Sequence, residues 1–75
     1  MFEDLIIDKS LKKMIKEWNK GNRQCPLCYS INYVPGLLLI RLDDRATQKF
    51  TCEICETRWE VLFSEDMSII KITIL

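Results

Sequence analysis

All four cysteines of this 75-residue chain fall in two Cys-x-x-Cys pairs, Cys25-Pro26-Leu27-Cys28 and Cys52-Glu53-Ile54-Cys55, and the chain has no histidine. Each pair presents two sulfurs at a tight turn, and 23 residues lie between Cys28 and Cys52. Four thiolates in two such turns close a tetrahedral Cys₄ site around one structural Zn²⁺ and leave no coordination position open. The gap is a little longer than the usual 15–20 residues and predicts an extended hairpin between the two turns. Two other readings compete. A redox pair of the thioredoxin kind needs a βαβ pattern that neither pair has around it, and secreted disulfides or an iron-bearing Cys₄ site account for the remainder.

The length makes a staple necessary. A single core of this size rarely supplies more than roughly 3–5 kcal/mol, whereas structural zinc contributes on the order of 10–16 kcal/mol coupled to folding. An apolar fraction of 48% with seven aromatic residues argues against disorder. The sequence shows no signal-like apolar N-terminus and no run long enough to span a membrane. A cytoplasmic location (nuclear in a eukaryote) is therefore expected, where reduced thiols favour metal over disulfide.

Net charge is zero, but the charges are segregated. Residues 1–8 carry Glu3, Asp4 and Asp8 for a net of −3, and residues 9–24 set six basic side chains against Glu17 for +5. Residues 25–75 balance five bases against seven acids for −2, to which four zinc-bound thiolates add −2. Within the basic segment, Leu11, Met14, Ile15 and Trp18 share one helical face. Asp8 or Ser10 is expected to cap this helix and Gly21 to stop it, with Lys16 and Lys20 near the negative end of its dipole. Phe2, Leu5 and Ile6 either extend the apolar face or add a short strand. Residues 1–22 thus read as a basic amphipathic helical segment and residues 23–75 as the metal-bearing unit. Lys12, Lys13, Lys16 and Lys20 occupy the remaining faces, either as solvated surface or as contacts to phosphate or an acidic protein.

From Arg23 onward the sequence reads as short strands. Ile31–Val34 precedes Pro35-Gly36, read as a turn, and Leu37–Ile40 follows as a continuous apolar run. Asp43-Asp44 marks a second break, and a strand follows from about Gln48 to Cys52. Trp59, Val61 and Phe63 alternate onto one side of the next strand. After Ser64-Glu65-Asp66, a last strand from Ile69 to Leu75 is expected to place Ile70, Ile72 and Ile74 on one face. Trp18 and Trp59 are expected in the core. Tyr29, Tyr33 and Phe50 offer a second, stacking role if exposed beside Arg41, Arg45 and Lys49.

The fold class that follows is a small zinc-bound α+β protein, a zinc ribbon: an antiparallel sheet of three to five strands, with a Cys-x-x-Cys knuckle at the end of each of two hairpins and an N-terminal amphipathic helix. Residues 43–59, Asp-Asp-Arg-Ala-Thr-Gln-Lys-Phe-Thr-Cys-Glu-Ile-Cys-Glu-Thr-Arg-Trp, resemble the C-terminal zinc ribbon of transcript-cleavage elongation factors and of small RNA polymerase subunits built on that ribbon. That family carries an acidic pair eight and nine residues before its third cysteine, as Asp44 and Asp43 stand before Cys52. Thr47, Phe50 and Arg58-Trp59 match its threonine-bearing strand, its aromatic before the cysteine and its Arg-Trp-like dipeptide, and Arg41 is the near equivalent of an arginine that precedes the pair. The likeness covers roughly residues 23–63 and is detailed in the second half. It departs from the family in having Asp at the second acidic position, and Tyr29 and Glu56 where ribbons usually have Gly.

The resemblance implies an acidic hairpin tip that enters the polymerase's secondary channel and helps hold Mg²⁺ and water there. Turn chemistry alone also explains Asp-Asp between two strands. No nucleophile beside a base, no phosphate loop and a full metal shell together predict no catalysis and no small-molecule substrate. The expected function is a non-enzymatic binding module contacting RNA polymerase or another large assembly. One alternative is a nucleic-acid-binding ribbon using the lysine helix on DNA or RNA. The other is a structural adaptor joined through its last strand.

Overall fold

The computed structural model describes residues 2–75, with side chains from Leu11 onward. Helix α1 spans Phe2–Asn19 and is followed by β1 (Tyr33–Ile40), β2 (Ala46–Cys52), β3 (Arg58–Phe63) and β4 (Ile69–Ile74). The strands form one antiparallel meander in the order β1-β2-β3-β4. Among the described residues no helix is long and apolar enough to cross a membrane.

Periodicity places the core. Met14 and Trp18 of α1 are buried, with Leu11 and Ile15 packed beside them. Opposite them, β2 and β3 turn Ala46, Phe50, Trp59, Val61 and Phe63 inward, as the alternation predicts. Trp18, Tyr33, Phe50 and Trp59 meet in an aromatic cluster with ring centroids 5.1–6.2 Å apart, mostly edge to face. The Trp18 indole N–H donates to the Gln24 carbonyl at 2.9 Å. The Arg23 guanidinium lies 5.6 Å from the Trp18 ring and 5.9 Å from Phe63, closing the cluster on that side.

The helix ends as expected. Gly21 adopts φ +98°, while its N–H donates to the Trp18 carbonyl at 3.1 Å and the Asn22 N–H to the Glu17 carbonyl at 2.9 Å. Those two bonds form a Schellman motif and satisfy carbonyls that the helix leaves free. The start differs. Because α1 begins at Phe2, Asp8 and Ser10 lie inside it and neither caps it, and the segment holding Phe2, Leu5 and Ile6 is helix rather than strand. The side chains of these five residues lie outside the described ones. Asn19 ties the helix to the sheet by accepting from the Ile69 N–H at 2.7 Å and donating to the Ile69 carbonyl at 3.1 Å.

Three strand expectations need correction. Pro35-Gly36 is not a turn: β1 runs straight through it, and between Pro35↔Phe50 and Leu38↔Gln48 the two residues Gly36 and Leu37 face Lys49 alone. This is a β-bulge on an edge strand, where a proline is tolerated. In β4 a second bulge admits Ile70 between the pairs Phe63↔Ile69 and Leu62↔Lys71. It turns Ile69 inward and Ile70 outward, so the inward face is Ile69, Ile72 and the half-buried Ile74, and of the expected Ile70, Ile72 and Ile74 only Ile70 departs. Finally, only the second knuckle joins two sheet strands, β2 and β3, whereas the first lies between α1 and β1.

Candidate metal centre

The two knuckles are built alike. In the first, the Cys25 N–H donates to the Ser30 carbonyl at 2.8 Å and the Tyr29 N–H to the Cys25 carbonyl at 3.0 Å. In the second, Cys52 N–H to Thr57 carbonyl is 2.9 Å and Glu56 N–H to Cys52 carbonyl is 3.1 Å. The residue after each second cysteine must then turn left-handed, and Tyr29 and Glu56 both do so at φ 62°. The absence of glycine there costs energy without changing the geometry.

This geometry brings the four predicted ligands together. Across the knuckles, Sγ of Cys25 lies 3.6 Å from that of Cys55, and Sγ of Cys28 lies 3.5 Å from that of Cys52. All four sulfurs are within 4.8 Å of one another, and the first cysteine of each knuckle is buried while the second is exposed. A tetrahedron with metal–sulfur bonds of about 2.3 Å has edges of about 3.8 Å, so the set fits one metal ion of that class.

Backbone N–H groups surround the sulfurs. Those of Ile54 and Cys55 lie 3.4 and 3.5 Å from Cys52 Sγ, and those of Leu27 and Cys28 serve Cys25. The N–H groups of Ser30 and Thr57 serve Cys28 and Cys55 in the same way. The Thr57 side chain lies 3.1 Å from Cys55 Sγ, and its hydroxyl, followed by its N–H, pulls that thiol down to about 6. Burial pushes the Cys25 thiol up to about 12. A cation at the centre favours the thiolate at all four positions, and the N–H groups then stabilise that charge from outside.

The remaining predicted residues lie elsewhere. Asp43 and Asp44 form the tip of the β1–β2 hairpin, closed by the Arg41 N–H donating to the Arg45 carbonyl at 2.7 Å. Asp44 is left-handed at φ 64°, and Asp43 accepts from the Arg45 N–H at 3.2 Å. Its carboxylate also lies 3.9 Å from Arg41 Nε and 3.8 Å from Arg45 Nε. Lys12, Lys13 and Lys16 are exposed on α1 and Lys20 is exposed just past its end, where it pairs loosely with Glu17 at 3.8 Å. Phe50 is buried and Tyr33 half-buried, so neither presents a free face for stacking, while Tyr29 stays exposed.

Two features of the structure lie outside the residues expected at a site. Thr57 touches a ligand, and a hydroxyl two residues after a cysteine was the available signal. The aliphatic residues of β1, read as an ordinary strand, are exposed on both faces of the sheet. Taken together, one helix on a four-stranded antiparallel sheet with a four-cysteine cluster fits a zinc-ribbon-like fold. Against known protein families, curated proteins and solved structures, the chain finds no match.

Proposed function

We propose that this chain is a non-enzymatic, protein-binding zinc ribbon, stapled by one structural Zn²⁺ on Cys25, Cys28, Cys52 and Cys55. It presents the tip of the β1–β2 hairpin to a large assembly, and RNA polymerase is the assembly that the resemblance implies. The observation that carries this reading is the position of the acidic pair. Asp43 and Asp44 stand at the outermost turn of the hairpin between the knuckles, at the end of the sheet away from the sulfurs. Arg41 and Arg45 flank Asp43 there, their Nε atoms 3.9 and 3.8 Å from its carboxylate. A closed Cys₄ shell supports a scaffold role for the metal.

Affinity capture of the tagged chain from its native cell, read by mass spectrometry, tests the reading. RNA polymerase subunits are expected in the capture, and the double variant D43A/D44A is expected to lose them roughly 10-fold or more, a loss of about 1.4 kcal/mol. Recovery without polymerase subunits overturns the polymerase assignment.

A second reading has one observation of its own. At about 100° per residue, Lys12, Lys13 and Lys16 of α1, continued by Lys20 just past its end, fall within an arc of about 100° opposite the buried Met14–Trp18 face. Such a stripe suits phosphate contact, and affinity for DNA or RNA would then fall steeply with salt and with Lys12, Lys13 and Lys16 changed to Glu.

A further inference from the structure

Strand β1 is an edge with an unusual surface. Val34, Leu37, Leu38, Leu39, Ile40 and Leu42 are all exposed, with Leu37 at 79%, Ile40 at 70% and Leu42 fully so. No charged residue lies between Tyr33 and Ile40. Leu38 and Ile40 share the face of Gln48 and Ala46, while Val34 and Leu39 share the face of Thr51 and Thr47, so the strand is apolar on both sides. An uncharged edge flanked on each face by exposed aliphatic side chains is an open template for pairing, and a second identical edge would cover both sets at once.

The backbone restricts what can pair there. The Arg41↔Arg45 bond continues the register Ile40↔Ala46, so by antiparallel alternation Leu39 bonds toward β2. Leu38 and Ile40 therefore direct their N–H and C=O groups outward, unpaired within the sheet. At the other end, Glu53 N–H donates to the Asn32 carbonyl at 2.9 Å, which makes Val34↔Thr51 the next bonded pair and turns the Pro35 nitrogen outward. Proline has no proton to donate, so the half of β1 before the bulge cannot extend a ladder. Only Leu37–Leu42 is open.

We infer that two copies of this chain pair antiparallel through that half of β1, with Leu39 on the two-fold axis, to form one continuous eight-stranded sheet. In this register the outward groups of Leu38 meet those of Ile40 in the other copy, and the converse. Leu39 faces Leu39 of the second copy at a non-bonded position, where side chains approach most closely. Leu38 and Ile40 of both copies gather on one face, Leu37 and Leu39 on the other, and no like charges are brought together within the paired segment. The contact is independent of the hairpin tip's proposed partner.

Sedimentation equilibrium on the zinc-loaded chain, together with charge variants at the axis, tests the pairing. The wild type is expected at twice the monomer mass of 8.9 kDa, dissociating on dilution. L39K and L39E each place like charges opposite one another and are expected to be monomeric. Mixed in equal amounts, they are expected to recover the two-chain mass, because an isologous contact then sets Lys against Glu. Leu39 is about half exposed in the single chain, so neither variant disturbs the core, and retained zinc with unchanged far-ultraviolet circular dichroism checks this. A wild type that stays monomeric to about 1 mM, the weak end of specific affinity, overturns the proposal. So does a dimer that survives in L39K, larger species in place of a dimer, or a mixture of the two variants that stays monomeric.

Discussion

Tyr29 and Glu56 show what the knuckle demands of a single residue. The cysteine turn closes only if the residue after it goes left-handed, and both accept φ 62° although a Cβ there crowds the backbone. The penalty for such a residue is about 1–2 kcal/mol, and glycine removes it while adding about 0.5–1 kcal/mol of backbone entropy. Glu56 is exposed and none of the described side-chain bonds uses its carboxylate, so E56G isolates that balance. We expect E56G to stabilise the zinc-loaded chain by about 0.5–1 kcal/mol and to raise its Tm by a few degrees in a thermal melt. E56V, with a β-branched side chain in the same conformation, should lower it. If both variants melt together with the wild type, the left-handed turn is not a source of strain.

At the scale of elements, the sequence was most readable where one period persisted long enough to choose a face. The i, i+3, i+4, i+7 series from Leu11 to Trp18 placed the buried side of α1, and the alternation from Trp59 to Phe63 placed that of β3. It was least readable where an interrupting residue has two uses. Pro-Gly is a turn signal, but the same pair suits a bulge on an edge strand, and only the pairing partner Lys49 distinguishes the two. Ile70 fails for a related reason, since one inserted residue shifts the alternation by a step and exchanges the faces around it. The cysteines were legible because sulfur spacing carries its own geometry, whereas the exposure of β1 depends on where α1 packs, and α1 lies against β4 rather than over β1. The bulge makes its own prediction. A Cβ on Gly36 would stand 2.9 Å from the Lys49 carbonyl oxygen, a backbone atom that cannot move aside without distorting β2. G36A should therefore cost about 1–3 kcal/mol and lower Tm by several degrees while leaving zinc content unchanged. An unaltered melt would mean that β1 is free to shift against β2.

For the whole molecule, the core and the cysteine cluster depend on each other. The buried set runs from Met14 and Trp18 across to Ile69 and Ile72 and includes Cys25 and Cys52, so two of the four sulfurs belong to the core itself. The segment between α1 and β1 is held by the first knuckle and by few sheet bonds, and Tyr33 packs against Trp18 just beyond it. On the proposed zinc reading, removing an ion held by the four converging sulfurs is expected to release that segment and uncover one side of the aromatic cluster. With about 3–5 kcal/mol available from a core of this size and on the order of 10–16 kcal/mol from a structural zinc, loss of such an ion would exceed what the core can supply. Trp18 and Trp59 are both fully buried, which gives the transition a direct optical signal. Elemental analysis should find one zinc per chain. A strong chelator should shift tryptophan emission to longer wavelength and abolish the far-ultraviolet sheet signal, and both should return when zinc is restored. C52S, which removes a buried ligand, should behave like the chelated protein even in excess zinc. A chain that keeps its native emission and circular dichroism after complete chelation would show that the helix and sheet hold the fold unaided, and the cysteines would then need another explanation.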